Sequence, residues 1–91
     1  MPAARLEIIE AYDWYENEAH GLGRRFQDEV DFQVNGIATH PLRHPVLLED
    51  VRRVRLRRFP HGLFFRPLQD AIHVIACFHS SRDPLIWRAR I

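Results

Sequence analysis

The sequence predicts an α+β fold: an N-terminal antiparallel hairpin of two helices packed on a three-stranded antiparallel β-meander. Two observations indicate this class. Apolar residues recur at helical spacing through the first 39 residues, and three runs rich in β-branched and aromatic residues follow residue 50 at hairpin spacing. The 91 residues suit one domain with one modest core, so we expect residues 1–91 to form a single unit.

The helices are predicted from their apolar stripes and their end signals. The first spans PAARLEIIEAYDWYENEAHG, in which Pro2 suits the first turn and Gly21 the C-terminal stop. The second runs from Leu22 to Thr39 and ends before Pro41. The stripes consist of Ile8, Ala11 or Tyr12, Tyr15 and Ala19 in the first helix and of Leu22, Phe26, Val30, Val34 and Ile37 in the second. The short break between the helices implies an antiparallel pair.

The residues after the helices predict the sheet. PLRHPVLLED, residues 41–50, holds two prolines and shows no clean period, so we interpret it as a connection. The predicted strands are Val51–Phe59, Leu63–Leu68 and Ala71–His79. The last of these is apolar enough for a central strand. In the tail SSRDPLIWRARI, Asp83 and Pro84 favour a short C-terminal helical turn.

The two halves of the chain carry opposite charge. Residues 1–50 hold four arginines and ten acidic residues, a net charge of −6, whereas residues 51–91 hold nine arginines and two acidic residues, a net charge of +7. The chain has no lysine, and the planar fork of arginine suits bidentate pairing with carboxylate or phosphate. A GC-rich genome would explain the same preference without any function.

The stretch VRRVRLRR, residues 51–58, places most of its charge on one face of a strand. Because side chains alternate, Val54 and Leu56 face the core while Arg53, Arg55 and Arg57 form a row on the other face. Neighbours in this row stand about 7 Å apart, near the spacing of successive phosphates or of acids on an extended peptide. The row is therefore predicted to dock an anion; alternatively, it is a solvated face that keeps the strand edge soluble.

The other chemical candidates are fewer. The six histidines are not spaced as a metal site, and neither a Gly-rich phosphate loop nor a nucleophile elbow is present, so we expect no metal and no cofactor. His79, Arg82 and Trp87 follow the last predicted strand and would combine an acid or base, a cation and an aromatic platform. Alternatively, Trp87 closes the core. Three aromatic residues of the first helix, Tyr12, Trp14 and Tyr15, lie at core-like helical spacing. Packing in the core is the better explanation for most of them.

Composition also suggests a compartment. No apolar run is long enough to cross a bilayer, and no charged-then-apolar leader opens the chain. The single cysteine, Cys77, cannot form an internal disulfide, which suits a reducing compartment. We therefore expect a cytoplasmic protein with no membrane partner.

The element order and several motifs resemble one family. WYE in the first helix, GLGRRFQDEVD in the second, VRRVRLRRFPHGLFFR in the strands and HSSRDPLIWRAR at the end resemble the RelE/ParE superfamily of bacterial toxins, in particular its ParE-like branch associated with plasmid stabilisation. The resemblance covers nearly the whole chain. It implies the toxin of a type II toxin–antitoxin module, neutralised by a cognate antitoxin in a hetero-oligomer. The acidic C-terminal segment of that antitoxin would fit the arginine row.

The two branches imply different targets. ParE-type toxins inhibit growth by binding DNA gyrase, whereas RelE-type toxins cut messenger RNA on the ribosome. Gly62 and Trp87 stand where the nucleases carry an arginine and a tyrosine, so we expect the gyrase-binding activity. The alternatives are a ribosome-dependent endoribonuclease and a decayed, inactive toxin. Catalytic candidates for a nuclease are Arg66, His79 and Arg82; the candidate docking residues are Arg53, Arg55, Arg57, Arg58, Arg66, Arg82 and Trp87.

The start of the chain departs from the family. Its members usually begin with a β-strand before the first helix, and here the helix pattern opens almost at Met1. Either translation begins upstream of Met1, or the sheet lacks that strand. A sheet without it would leave unpaired backbone groups for the antitoxin or for a second copy.

Overall fold

Two helices precede a four-stranded antiparallel sheet in the computed structural model, which describes residues 2–82 and residue 90. The elements are α1 (Pro2–Glu18), α2 (Leu22–Thr39), β1 (Val46–Leu48), β2 (Val51–Arg55), β3 (His61–Pro67) and β4 (Ile72–His79). The sheet order is β1-β2-β3-β4. The α+β class is confirmed, with one strand more than predicted. The predicted C-terminal helical turn lies outside the described residues.

The break between α1 and α2 is held by glycine and by one carboxylate. Gly21 has φ +85°, a conformation that L side chains rarely adopt. A Cβ on Gly23 would lie 2.7 Å from the Tyr12 carbonyl oxygen, so only glycine lets the helices approach this closely. The Glu16 carboxylate accepts the N–H groups of Gly21 and Gly23, both at 3.0 Å, and so caps α2. These bonds, chiefly that from Gly21, lower the pKa of Glu16.

The extra strand, β1, lies in the stretch that the sequence predicted to be a connection. Val46 pairs with Arg52 and Leu48 with Val51, with an irregular register between the two pairs. A three-residue strand directly after Pro45 is too short to show alternation, which is why the pattern missed it. Within residues 2–82 and residue 90, no strand precedes α1.

The sheet has an apolar cluster on each face. On the helix side, Val54, Leu56, Leu63, Phe65 and Cys77 are buried together with Tyr15 and with the α2 residues Phe26, Val30 and Ile37. The prediction that Val54 and Leu56 face the core is therefore confirmed. On the opposite face, Val51, Phe64, Ile75, Ala76 and Phe78 form a second buried cluster.

Strand β4 lies at the edge of the sheet, so the prediction that it is central was wrong. Its continuous apolar character has another cause: Cys77 enters the cluster on the helix side, while Ile75, Ala76 and Phe78 enter the other. Both faces of β4 are buried even though, among residues 2–82 and residue 90, one edge of it has no neighbouring strand. Neither helix of the described chain is long and apolar enough to cross a lipid bilayer.

Candidate anion-binding site

Strand β2 carries two outward arginines instead of the predicted three. Arg53 and Arg55 lie opposite Phe64 and Gly62 of β3, on the face away from the helices. The strand ends at Arg55, four residues earlier than predicted, and the chain bends through residues 57–60. Arg57 therefore leaves the row: its guanidinium carbon lies 5.1 Å from the centre of the Phe32 ring on α2.

The two arginines border a groove at the end of the sheet where β2 stops. We call this cavity of about 230 Å³ the cationic groove; its polar walls are Arg53, Arg55, His61, His79, Ser80 and Arg82. Gly62 also lines it. A Cβ on Gly62 would lie 3.4 Å from Cδ of Arg53, so the absent side chain leaves room for the stem of that arginine. The site thus gathers Arg53, Arg55, His79 and Arg82, as candidates drawn from separate motifs.

Arg53 and Arg55 have no carboxylate partner within the described part of the chain. Neither they nor the exposed Arg58 form an ion pair among residues 2–82 and residue 90. Arg53 and Arg55 stand two residues apart on one strand face, so their Cα atoms are about 7 Å apart, and each guanidinium group can bind a carboxylate or phosphate bidentately. The anion-docking prediction therefore applies to a pair of arginines on β2.

Arg82 borders the groove but already has an acidic partner. Its Nη1 donates to Oε2 of Glu7 at 3.1 Å, and its guanidinium carbon lies 4.4 Å from the centre of the Phe78 ring. The Glu7 carboxylate also accepts two hydrogen bonds from Arg90, both at 3.0 Å. Arg82 is thus fixed in orientation, and its charge is partly compensated.

Arg66 lies apart from the other candidates. Its Nε and Nη2 donate to the two carboxylate oxygens of Asp50 at 3.1 and 2.9 Å, and this bonding lowers the pKa of Asp50. His79 pairs with His61, five residues from Arg66 along β3, which corresponds to about 17 Å. A catalytic set of Arg66, His79 and Arg82 is therefore not assembled: the strand separates Arg66 from the other two.

Two histidines meet at the end of the sheet. The rings of His61 and His79 lie 5.3 Å apart edge to face. The Ser81 N–H donates to Nδ1 of His79 at 3.0 Å, so neutral His79 carries its proton on Nε2. Burial, and secondly the nearby His79, lowers the pKa of His61 to about 4, so that His61 is uncharged at neutral pH.

The sequence analysis assigned no role to His61, because it treated PHG only as a turn. Its Nδ1 lies 3.4 Å from the Tyr15 hydroxyl, and it borders the cationic groove beside His79. Its register opposite His79 is the signal that would have revealed it: the hairpin spacing of β3 and β4 brings the two histidines together.

Trp87, Cys77 and Trp14 differ in what the structure shows of them. Trp87 lies outside the described residues. Burial, and secondly Glu7, raises the pKa of Cys77 to about 12, so the thiolate nucleophile is not formed at neutral pH. Trp14, placed with the core by its spacing, is 59% exposed. In the part of the chain that the structure describes, no three histidine, cysteine or acidic residues are grouped to hold a metal ion.

Comparison with known proteins adds no relative. No protein-family model matches this chain, and no curated protein matches it at a significant level.

Proposed function

We propose that this protein is the toxin of a type II toxin–antitoxin module and that it arrests growth by binding DNA gyrase. Its cognate antitoxin would silence it by placing an acidic C-terminal segment on the arginines of β2. The resemblance of the motifs to the ParE-like branch of the RelE/ParE superfamily motivates this assignment. A cytoplasmic location is part of the proposal, since gyrase and the ribosome both lie there.

One observation carries the proposal: Arg53 and Arg55 border the cationic groove without a carboxylate partner in the described chain. Arg66 and Arg82, in contrast, pair with Asp50 and Glu7. Two unpaired guanidinium groups beside each other repel, and an external anion would relieve this repulsion. An acidic protein segment supplies that anion and gains affinity from bidentate pairing.

The composition of the groove favours binding over catalysis. Cleavage of a phosphodiester needs groups that move protons and cations that stabilise the charged transition state. Gly62 contributes no side chain, and Arg66 lies about 17 Å along β3 from His61. Arg82 shares the carboxylate of Glu7 with Arg90. The two available cations, Arg53 and Arg55, are sufficient for docking.

Gyrase supercoiling in the presence of the purified protein tests the proposal. We expect inhibition that is lost in the Arg53→Gln/Arg55→Gln double variant, because that variant removes the two arginines of the cationic groove that have no carboxylate partner in the described chain. The Arg5→Gln/Arg24→Gln variant removes two exposed helix arginines and equals it in net charge, so it should still inhibit. If the protein cleaves ribosome-bound messenger RNA and leaves supercoiling unaffected, the gyrase proposal is wrong and the protein is a nuclease. Harmless expression without the antitoxin would indicate an inactive copy.

The endoribonuclease is the second candidate, and the position of His79 favours it. His79 shares the cationic groove with Arg53, Arg55 and Arg82, and its Nε2 can exchange a proton. If the protein is a nuclease, His79→Ala should abolish cleavage while leaving the circular dichroism spectrum unchanged. Arg82→Ala is a poorer test, since it also removes a contact to Glu7.

A further inference from the structure

The exposed side of α2 carries an aromatic residue and a glycine one helical turn apart. Phe32 is 57% exposed, whereas the buried side of the same helix holds Phe26, Val30 and Ile37. Gly36 follows Phe32 by four residues, so the two lie next to each other on one helix face. A protruding ring thus stands beside a position that has no side chain.

Gly36 is not explained by the packing of the chain on itself. Its φ lies outside the left-handed region, so no turn requires glycine there. A Cβ on Gly36 would meet no described atom within 4 Å other than those of its own helix turn and chain neighbours. Glycine inside a helix is less favourable than alanine, because it loses more backbone entropy on folding. Gly36 therefore weakens α2 and leaves a gap on its surface.

This gap opens into a groove between α2 and β1. We call this cavity of about 520 Å³ the α2 groove. Phe32 and Gly36 line its helix side, and Val46 and Leu47 line its strand side with 48% and 38% of their surface exposed. The groove therefore joins the gap at Gly36 to exposed apolar surface, and an inserted aromatic ring would bury both.

We propose that a second copy of this chain covers the α2 groove and forms a two-fold symmetric dimer through α2. When two α2 helices cross in antiparallel directions, each Phe32 ring can fill the gap at Gly36 of the other copy. That ring would also contact Val46 and Leu47. Ridges of residues four apart are those by which helices most often pack, and a two-fold axis makes each such contact twice.

Charges at the ends of this contact are complementary. Asp28 precedes Phe32 by one turn, so the antiparallel crossing places it near the C-terminal end of α2 in the other copy. His40 and Arg43 lie exposed at that end, in the turn that follows the helix. The pair of Asp28 with Arg24 is solvent-exposed and contributes little, so Asp28 can exchange partners on association.

Self-complementarity is the reason to choose a second copy over an unrelated protein. An unrelated partner would need its own protruding ring with an acid one turn away, and α2 already presents both beside the gap that receives them. The inference is independent of the proposed growth arrest. A protein that dimerises without inhibiting gyrase would leave it intact, and a monomer that inhibits gyrase would contradict it alone.

Sedimentation velocity at increasing protein concentration tests the dimer. We expect the monomer to convert to a dimer as the concentration rises, and Phe32→Ala to weaken this association by about tenfold or more, because it removes the central ring. Trp14→Ala is the matched control: Trp14 is 59% exposed on α1 and does not line the α2 groove, so its loss should leave the association unchanged.

Gly36→Ala gives a result that partial unfolding cannot imitate. At a concentration where the protein is monomeric, alanine should raise Tm by about 4 °C or more, because its Cβ enters open space and favours the helix. The same methyl group should weaken the dimer by about threefold or more, because it fills the gap that receives the Phe32 ring, and Gly36→Leu should abolish it.

Two results would overturn the proposal. One is a wild-type protein that stays monomeric at every concentration reached. The other is a dimer that persists with unchanged affinity in Phe32→Ala and Gly36→Leu, since it would have to use a surface other than the α2 groove.

Discussion

The arginines beside β4 and those on β2 have the same guanidinium chemistry, and the protein uses them in opposite ways. At the β4 edge, Glu7 accepts the Cys77 N–H at 3.1 Å and binds Arg82 and Arg90, while Arg90 donates to the Ile75 carbonyl at 3.1 Å. On β2, which lies between β1 and β3, Arg53 and Arg55 meet no carboxylate in the described chain. Arginine is thus structural where the chain supplies an acid and available for a ligand where it does not.

The strength of an arginine–carboxylate ion pair in this protein depends on how deeply its carboxylate is buried. The Glu7 side chain is 11% exposed, so its pairs are little weakened by water. The Asp50 side chain is 53% exposed, and its pair with Arg66 is screened by solvent. The described arginines therefore fall into a series. Arg82 and Arg90 pair with a buried acid, Arg66 pairs with an exposed acid, and Arg53 and Arg55 have no acid beside them.

Glu7→Gln should have the largest effect in this series. The glutamine leaves Arg82 and Arg90 without a counter-charge at a mostly buried site, which we expect to reduce the free energy of unfolding by about 2–3 kcal/mol. For a domain of this size the corresponding decrease in Tm is about 10 °C or more. Thermal denaturation followed by circular dichroism measures it.

Glu10→Gln is the matched control for Glu7→Gln, because Glu10 is exposed on the same helix and forms no ion pair among the described residues. Its Tm should change little. Equal stability of the two variants would mean that Glu7 does not hold the arginines beside β4 for the benefit of the fold, and the contrast with the arginines of β2 would disappear.

Asp50→Asn should have a smaller effect that depends on pH. Pairing with Arg66 lowers the pKa of Asp50 below its ordinary 3.8. A lowered pKa means that the ion pair contributes its full stability above that ordinary value and loses it as the pH falls through the lowered one. The Tm difference between wild type and Asp50→Asn should therefore shrink from neutral pH to pH 2. A difference that persists in acid would exclude the carboxylate as its source; Asp13→Asn is the control.

The sequence predicted the helices and the α+β class well because those signals are local. The apolar stripe of α2 and the glycines at 21 and 23 act over a few residues, and the structure contains both helices near their predicted bounds. Strand β1 was missed because three residues carry no period. The position of β4 was misjudged because burial of both strand faces looks the same in sequence at a central or an edge position.

The site was only partly predictable because side-chain pairing is not local. The sequence identified Arg53, Arg55, His79 and Arg82, which the structure gathers around the cationic groove. It could not indicate that Glu7, 75 residues earlier, binds Arg82. Nor did it reveal that the strand ends before Arg57, since the alternation of arginines continues beyond the backbone pairing.

The Arg53→Gln/Arg55→Gln double variant should have the smallest effect on stability. Neither arginine has an ion pair in the described chain, and replacing two neighbouring like charges relieves repulsion, so the free energy of unfolding should stay within about 0.5 kcal/mol of wild type. Urea denaturation measures it, with Arg5→Gln/Arg25→Gln, two exposed helix arginines without an ion pair in the described chain, as the control of equal charge change. A loss as large as that of Glu7→Gln would mean that these arginines hold the fold together. A neutral result joined to lost inhibition of gyrase supercoiling would assign them to a ligand, because residues that a fold does not need are free to serve a partner.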